Sequence, residues 1–322
     1  EAALEDAIKP AYENMSKENA VTFHNNMKQK LNNFRQQLTS DGPIKIKAPP
    51  TVLKPGASST FLGGRAHKYS DEEMEFLSAL TKRFIKAGLI VSCETSQYCS
   101  PALVVRKPNN RGFRLVVDLR RANALVQQMC APIVHLDMVR SRLQGSKVFS
   151  SMDLTDGFFQ VQQDKTGSEL YTFRTHEGLF RMLRTPQGAT NSSGIFQSIM
   201  NVVCKKYLFG KTNGVIPYID DLLIYAESDE KLIEIHKHLN EQFEKYNVKV
   251  KLTKSVLGSK RVEWCGFLID KNGISQPESR IDKLLNTATP VTAYDLTNFL
   301  GAVNWMRQHL PRYDETIKPL LD

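Results

Sequence analysis

Two adjacent carboxylates, Asp220 and Asp221, interrupt an apolar run, Gly214-Val-Ile-Pro-Tyr218-Ile-Asp-Asp-Leu-Leu-Ile-Tyr-Ala226. A carboxylate buried without a partner costs several kcal/mol or changes its pKa. Two side by side call for a counter-charge, and a divalent cation is the usual one. The competing reading is a polar hairpin tip between two buried strands, because Asp is a common turn residue. A further acid lies upstream, where Asp153 nears the end of a strand-like run, Val148-Phe-Ser-Ser-Met-Asp153-Leu154. Phosphoryl transfer by two metal ions needs carboxylates from different elements, converging on cations roughly 3.5–4 Å apart. One cation lowers the pKa of an attacking hydroxyl and the other steadies a leaving pyrophosphate. An Asp from a neighbouring strand beside an Asp-Asp hairpin suits that need. Asp at a strand end is also a common cap or turn residue. Asp156 is a rival candidate, but Thr155-Asp-Gly157 reads as a turn.

The elements that would position these acids can be read on either side. Ser70 and Glu73 fit a capping box, followed by an apolar face of Leu77, Leu80 and Phe84, with Gly88 as the C′ residue. Residues 102–107 and 113–118 read as strands joined by Asn109-Asn-Arg-Gly112, a hairpin signal. A short helix is predicted around Leu136 to Leu143, a strand over 148–153 and another over 171–174. Residues 190–207 read as a helix with Phe196, Met200, Val203 and Tyr207 on one face. Ser228 opens a helix carrying Leu232, Ile235, Leu239, Phe243 and Tyr246. Short strands fill 248–270, with a turn at Asn272-Gly273. The last 45 or so residues read as helical, one helix opened by Thr292 and Asp295 and lined by Leu296, Phe299, Leu300 and Val303. Helices and antiparallel hairpins without a regular βαβ rhythm predict an α+β fold.

Upstream, residues 1–40 read as a polar helical segment with one apolar stripe, Phe23, Met27, Leu31, Phe34 and Leu38. Residues 41–69 carry Gly42-Pro43, Pro49-Pro50, Pro55-Gly56 and Gly63-Gly64, which predicts an extended linker with little regular structure. The chain opens on Glu1 rather than Met, which reads as a piece of something longer.

Composition bounds the function classes. The 322 residues are 41% hydrophobic and 24% charged, so a folded chain of two or three packed units is expected. Lys and Arg number 43 against 34 Asp and Glu, a formal net charge of +9 that suits a polyanionic partner. The five cysteines are scattered without a CxxC or Cys/His cluster, which argues against a zinc site and a disulfide scaffold. No apolar run approaches 18 residues and no signal peptide is legible, so no membrane partner is expected.

Three stretches, Phe149-Ser-Ser-Met-Asp153-Leu-Thr-Asp-Gly-Phe-Phe-Gln160, Thr185-Pro-Gln-Gly-Ala-Thr-Asn-Ser-Ser-Gly-Ile-Phe-Gln197 and Tyr218-Ile-Asp-Asp221, resemble successive motifs of reverse transcriptases, in the right order and separation. Ser100-Pro-Ala-Leu-Val-Val-Arg-Lys107 with Phe113-Arg-Leu-Val-Val-Asp118 resembles the fingers hairpin. Lys254 with Trp264-Cys-Gly-Phe267 resembles the last palm motifs. Asn298-Phe-Leu-Gly-Ala-Val-Asn-Trp305 resembles the thumb of long-terminal-repeat retrotransposons of the gypsy type. The similarity runs from about residue 68 to the end. It is fainter through the Pro-rich linker, which is similar to the stretch joining protease to polymerase in such polyproteins.

The resemblance implies an α+β right-hand polymerase: fingers and palm over 70–270, a helical thumb over 271–322, and an N-terminal extension and linker over 1–69. It makes Asp153, Asp220 and Asp221 the metal-binding triad, with hard oxygen ligands that suit Mg²⁺, or Mn²⁺ in its place. Lys107 and Arg114 become the triphosphate clamp, where residues alone read as solvated hairpin charges. Phe158 lies under the incoming sugar and excludes a 2′-hydroxyl, with a core Phe as the alternative reading; if the segment stays extended, Phe159 points to the other face and is the better candidate for the core. Backbone N–H groups at Asp156 and Gly157 reach phosphate oxygens, Gly allowing close approach. Gln187 suits a hydrogen bond near the sugar 3′ end, although many gypsy-type elements carry an apolar residue there. Lys254 is a general acid toward pyrophosphate or a surface Lys. Tyr218, Trp264 and Phe267 fall to the primer and template side, with plain packing as the alternative for the last two.

The implied partners are a primed RNA or DNA template, dNTPs, and a second copy or other Pol domains. The implied setting is intracellular: cytoplasmic virus-like particles, with the nucleus as an alternative. No RNase H carboxylate set and no aspartic-protease Asp-Thr/Ser-Gly triplet is legible. A domesticated polymerase fold that grips nucleic acid without chemistry is the rival class, and the intact carboxylates weigh against it. An RNA polymerase is the other, and Phe158 weighs against that.

Overall fold

The structure is a computed structural model and describes residues 42–320 apart from 64–66, 109–111, 132–133, 305 and 308–309. The predicted stripe of residues 1–40, the tip of the 102–118 hairpin and Trp305 fall outside the described residues.

The chain enters its first long helix, α1 (Asp71–Lys86), through the predicted capping box. Ser70 Oγ accepts from the Glu73 N–H, and the Glu73 carboxylate accepts from the Ser70 N–H at 2.8 Å. At the far end Gly88 takes φ +64°, and the N–H groups of Gly88 and Leu89 reach the carbonyls of Ile85 and Phe84. That pairing satisfies two carbonyls the helix leaves open and turns the chain into a strand.

The strands follow as β1 (Ile90–Cys93), β2 (Ser100–Arg106), β3 (Phe113–Val117), β4 (Val148–Leu154), β5 (Phe173–Thr175), β6 (Gly178–Met182), β7 (Gly214–Tyr218), β8 (Asp221–Ala226), β9 (Val250–Ser259), β10 (Arg261–Trp264), β11 (Phe267–Asp270) and β12 (Gly273–Ser275). Among the described residues they form three sheets, ordered β1-β6-β5-β2-β3, β7-β8-β4-β9 and β10-β11-β12. The first sheet holds the β2–β3 hairpin and contains one parallel pairing, β2 with β5. The four-stranded sheet is antiparallel throughout.

Period-two alternation sorts the two faces of that four-stranded sheet. On one face Met152, Leu154, Leu222 and Ile224 meet α2 (Ser192–Val203) and α3 (Asp229–Tyr246) through Phe196, Met200, Leu232 and Leu239. On the other, Phe149, Leu223 and Tyr225 meet the β10–β11 hairpin through Trp264, Phe267 and Ile269. Both faces are covered, which is why residues 214–226 read as an almost unbroken apolar run. Each fully buried Leu or Phe contributes about 1.5–3 kcal/mol.

The stretch expected to be a linker is instead a strap pinned along the body. Ile44 N–H donates to the Gln160 carbonyl at 2.7 Å and Lys45 N–H to that of Tyr246 at 2.9 Å. Farther on, Lys54 N–H reaches the Leu125 carbonyl and Cys99 N–H reaches that of Leu62. Ile44, Ala57 and Leu62 are buried. A Pro-rich extended backbone keeps its carbonyls and remaining N–H groups free, and neighbouring loops take them up.

At the C-terminal end, α4 (Glu278–Leu285) and α5 (Ala293–Asn304) follow β12. Thr292 and Asp295 cap each other reciprocally at 3.0 and 3.1 Å. Leu296, Phe299, Leu300 and Val303 form the half-buried face of α5.

Candidate active site

Asp153 and Asp221 stand directly opposite each other across β4 and β8. Their odd numbers place both on the face of Phe149, Leu223 and Tyr225, toward the β10–β11 hairpin. Asp221 also pairs with Tyr218 across a two-residue turn made of Ile219 and Asp220. The Leu154 N–H donates to the Asp220 carbonyl at 2.9 Å, which sews that turn to the end of β4. Three carboxylates from two strands and a turn therefore gather at one end of the sheet.

Like charges directly opposite in a sheet repel. Burial pushes up the Asp220 carboxyl, and the Asp153 charge adds to the shift. Burial likewise raises Asp221, reinforced by Asp153 and Asp220 and opposed by the Cys265 thiol and Lys254. Cys265 Sγ donates to Asp221 Oδ2 at 3.8 Å, and Lys254 Nζ lies 3.7 Å from Asp153 Oδ2. The turn itself is strained, because Ile219 is β-branched and sits at φ +56°.

This donor set fits a divalent cation. All three side chains offer hard oxygen ligands, and two of them are held at a protonation cost that a cation would remove. Among the described residues no group of three or more His, Cys, Asp or Glu side chains is disposed to hold a metal ion by itself.

The candidate nucleotide contacts lie on separate elements. Lys107 and Arg114 are exposed on the β2–β3 hairpin, in a different sheet from the carboxylates. Neither side chain has an ion-pair partner among the described residues. Asp156 takes a left-handed conformation at φ 44° and opens a 3₁₀ turn over Gly157–Gln160. The segment is therefore not extended, and the condition that would send Phe159 to the opposite face is not met. In a 3₁₀ turn adjacent side chains do not alternate across two faces, and both Phe158 and Phe159 are half-buried. Phe158 meets Phe196 edge to face at 5.9 Å, and Phe159 meets Phe84 at 5.8 Å. The group that approaches Gly157 closely is the Phe196 ring: a Cβ there would lie 3.0 Å from Phe196 Cζ. Gln187 is exposed on a turn held by Asn123 Nδ2 donating to the Gly188 carbonyl at 2.8 Å and Ser192 Oγ donating to that of Pro186 at 3.0 Å.

On the primer side, Tyr218 is half-buried and its ring meets Trp264 edge to face at 5.9 Å. Trp264 and Phe267 are 4% and 3% exposed, inside the core behind the carboxylates. Their side chains pack in the core, which agrees with the plain-packing alternative for these two rings. The alternation in Arg261-Val-Glu-Trp264 turns Val262 and Trp264 inward.

Two neighbours of the site carry no sequence-based expectation. Cys265 and Gly266 form a two-residue hairpin loop with φ of +49° and +75°, the signs a type I′ turn requires. A two-residue loop ending in Gly between apolar strands signals the hairpin, but the contact with Asp221 depends on how the hairpin lies on the sheet. The other neighbour, Gln197, closes the stretch from Thr185 to Gln197, and its amide touches the Tyr218–Asp221 turn.

A four-stranded antiparallel sheet with paired acids at one end, backed by two helices and followed by a helical region, defines a right-hand polymerase fold. The sequence profile of the family "Reverse transcriptase (RNA-dependent DNA polymerase)" matches residues 105–269, just over half the chain, and the chain belongs to that family. It is 29% identical over 79% of its length to an uncharacterized protein of Caenorhabditis elegans. It is 25% identical over 77% of its length to the transposon Tf2-3 polyprotein of Schizosaccharomyces pombe, and 28% over 72% to the retrovirus-related Pol polyprotein from transposon opus of Drosophila melanogaster. The chain covers 20%, 18% and 23% of those three proteins, about a fifth of their length. Among solved structures, the foamy viral protease-reverse transcriptase in complex with RNA/DNA hybrid aligns with a TM-score of 0.81 at 24% identity, over 99% of this chain and 42% of that one. The same enzyme in complex with dsDNA aligns with a TM-score of 0.81, over 65% of its chain.

Proposed function

We propose that this chain is the RNA-directed DNA polymerase portion of a gypsy-type long-terminal-repeat retrotransposon Pol polyprotein. The observation that carries the reading is the Asp153–Asp221 register pair beside Asp220, in a chain of the reverse transcriptase family. Retrotransposon polyproteins among its relatives support the source, and the +9 charge supports a nucleic-acid partner. Residues 70–270 serve as fingers and palm and 271–322 as thumb, with a primed RNA or DNA strand between them.

Asp153, Asp220 and Asp221 would hold Mg²⁺ or Mn²⁺. Bound there, divalent cations lower the pKa of a primer 3′-hydroxyl and neutralise charge on the departing pyrophosphate. Lys107 and Arg114 bind the triphosphate of an incoming dNTP, their charges free for it among the described residues. Phe158, steadied by Phe196, closes the volume a 2′-hydroxyl would need. Gln187 offers its exposed amide to the sugar. Lys254, whose Nζ lies 3.7 Å from Asp153 Oδ2, would serve as the general acid that gives a proton to the leaving pyrophosphate. A protein that only gripped nucleic acid would gain nothing from gathering three carboxylates, two of them pushed up by burial, at one end of a sheet.

Pyrophosphate release on a primed RNA template with dNTPs and Mg²⁺ tests the reading. Release in step with primer lengthening is expected. Tight template binding with neither product would favour a binding protein instead.

A further inference from the structure

We propose that Gln197 is a positioning residue: its buried amide clamps the open edge of the Tyr218–Asp221 hairpin and holds the two aspartates in register. The inference rests on the polymerase reading of that hairpin.

Gln197 lies on α2, one position after the core residue Phe196, and is 1% exposed. A buried amide is costly unless its donors and acceptor are used. All of them are used here. Nε2 donates to the Pro217 carbonyl at 2.9 Å and to Asn201 Oδ1 at 3.0 Å, and Oε1 accepts from the Ile219 N–H at 2.9 Å. The two backbone partners flank Tyr218.

The placement follows from topology. Among the described residues β7 is an edge strand, so apart from the Leu208–Val215 bridge one row of its backbone groups has no neighbouring strand. Pro217 is tolerated there because it lacks an N–H. The Pro217 carbonyl and Ile219 N–H belong to that open row, and α2 covers them. A side-chain amide carries the same C=O and N–H pair as a peptide unit. Gln197 thus meets the edge as one residue of a fifth strand would.

The clamp acts where the backbone is strained. Ile219 holds φ +56°, a conformation unfavourable for a β-branched residue that persists only where its surroundings enforce it. Relaxing that angle would swing the Ile219 N–H off Gln197 and reorient Asp220, the next residue. A carboxylate at position 197 could accept from Ile219 but would face the Pro217 carbonyl with no donor.

The test uses Gln197→Met, Gln197→Glu, Ile219→Gly and the Gln197→Met/Ile219→Gly double variant. Single-turnover nucleotide addition is measured beside template–primer binding by anisotropy. Leaving a buried polar group unpaired typically costs an amount equivalent to about tenfold to a hundredfold in population. Addition should slow by that factor in both Gln197 variants, with template–primer Kd near the wild-type value. Glycine enters the left-handed region freely. The loss caused by Gln197→Met should therefore shrink in the Ile219→Gly background, a non-additive cycle that a general packing defect would not give. A second readout needs neither variant nor metal: the Ile219 amide should be protected from hydrogen exchange in the metal-free wild-type chain. An additive cycle, unchanged addition in either Gln197 variant, or a rapidly exchanging Ile219 amide would overturn the proposal. A wild-type chain that never extends primers would overturn the polymerase reading, whereas the exchange measurement would still decide whether the clamp exists.

Discussion

Asp220 and Asp221 sit where burial and the charge of neighbouring carboxylates, Asp153 for both, work against their ionised forms, and this has a measurable consequence for stability. A carboxyl whose folded-state pKa is raised contributes stability that is fully present below its unfolded pKa. That contribution is lost as pH rises through the folded-state value. Asp220→Asn should therefore raise the melting temperature of the metal-free chain at pH 7, and the gain should fade below about pH 4, where the unfolded carboxyl is itself protonated. Melts in chelator at both pH values check this; no gain at pH 7 would mean that the charge is already satisfied within the protein. Phe158 makes a different residue-scale case. Its ring meets Phe196 edge to face, an arrangement worth about 0.5–1.5 kcal/mol beyond burial, so Phe158→Val should cost stability as well as open space. The ratio of ribonucleotide to deoxynucleotide insertion should rise about tenfold or more, since rejection by bulk can exceed the roughly 1–3 kcal/mol of one pocket methylene. Single-nucleotide insertion in both proteins decides: an unchanged ratio would leave Phe158 as a core ring, with sugar choice made elsewhere.

At the scale of elements, local signals were legible and long-range ones were not. The Ser70–Glu73 box, the Ser228 cap and the Thr292–Asp295 cap lie within three residues of sequence, and each forms as read. The Ser70→Ala change should cost about 1 kcal/mol in chemical denaturation, with an unchanged denaturant slope. No loss would mean that the first turn of α1 is held by its packing alone. The hairpins around Asp221 and Arg114 were legible because turn residues separate apolar runs. The 3₁₀ turn over Gly157–Gln160 was not, since two consecutive Phe fit an extended segment equally well. The inward Trp264 was partly legible in its alternation, whereas its contact with Tyr218 depends on how two sheets meet. Cys265 and Gln197 reach the site by tertiary approach, and their sequence neighbours do not announce it.

Across the whole molecule, the strap over residues 42–62 was hidden for the same reason. Its Pro and Gly residues signal the absence of regular structure, but not where the backbone goes. It runs from Tyr246 and Gln160 near the four-stranded sheet to Gln97 and Cys99 beside the five-stranded one, joining the two halves of the body. Net charge acts at this scale too. With 43 basic against 34 acidic residues, template–primer affinity should fall steeply with salt. The log–log slope should be roughly −0.7 to −0.9 per phosphate contact, as counterions are released. Titrations at several salt concentrations check it, and a flat response would count against nucleic acid as the partner.

The central claim is that the acids gathered at the end of β4 and β8 carry nucleotidyl transfer. It is tested most directly by comparing wild type with Asp220→Asn in primer extension on an RNA template, with dNTPs and Mg²⁺, in single turnover. Wild type should extend the primer and stop on addition of chelator. The variant, folded and still binding template–primer, should be slower by at least about a thousandfold, the scale expected when preorganised charge stabilisation is removed. Extension by the variant at the wild-type rate, or none by the wild type, would contradict the claim.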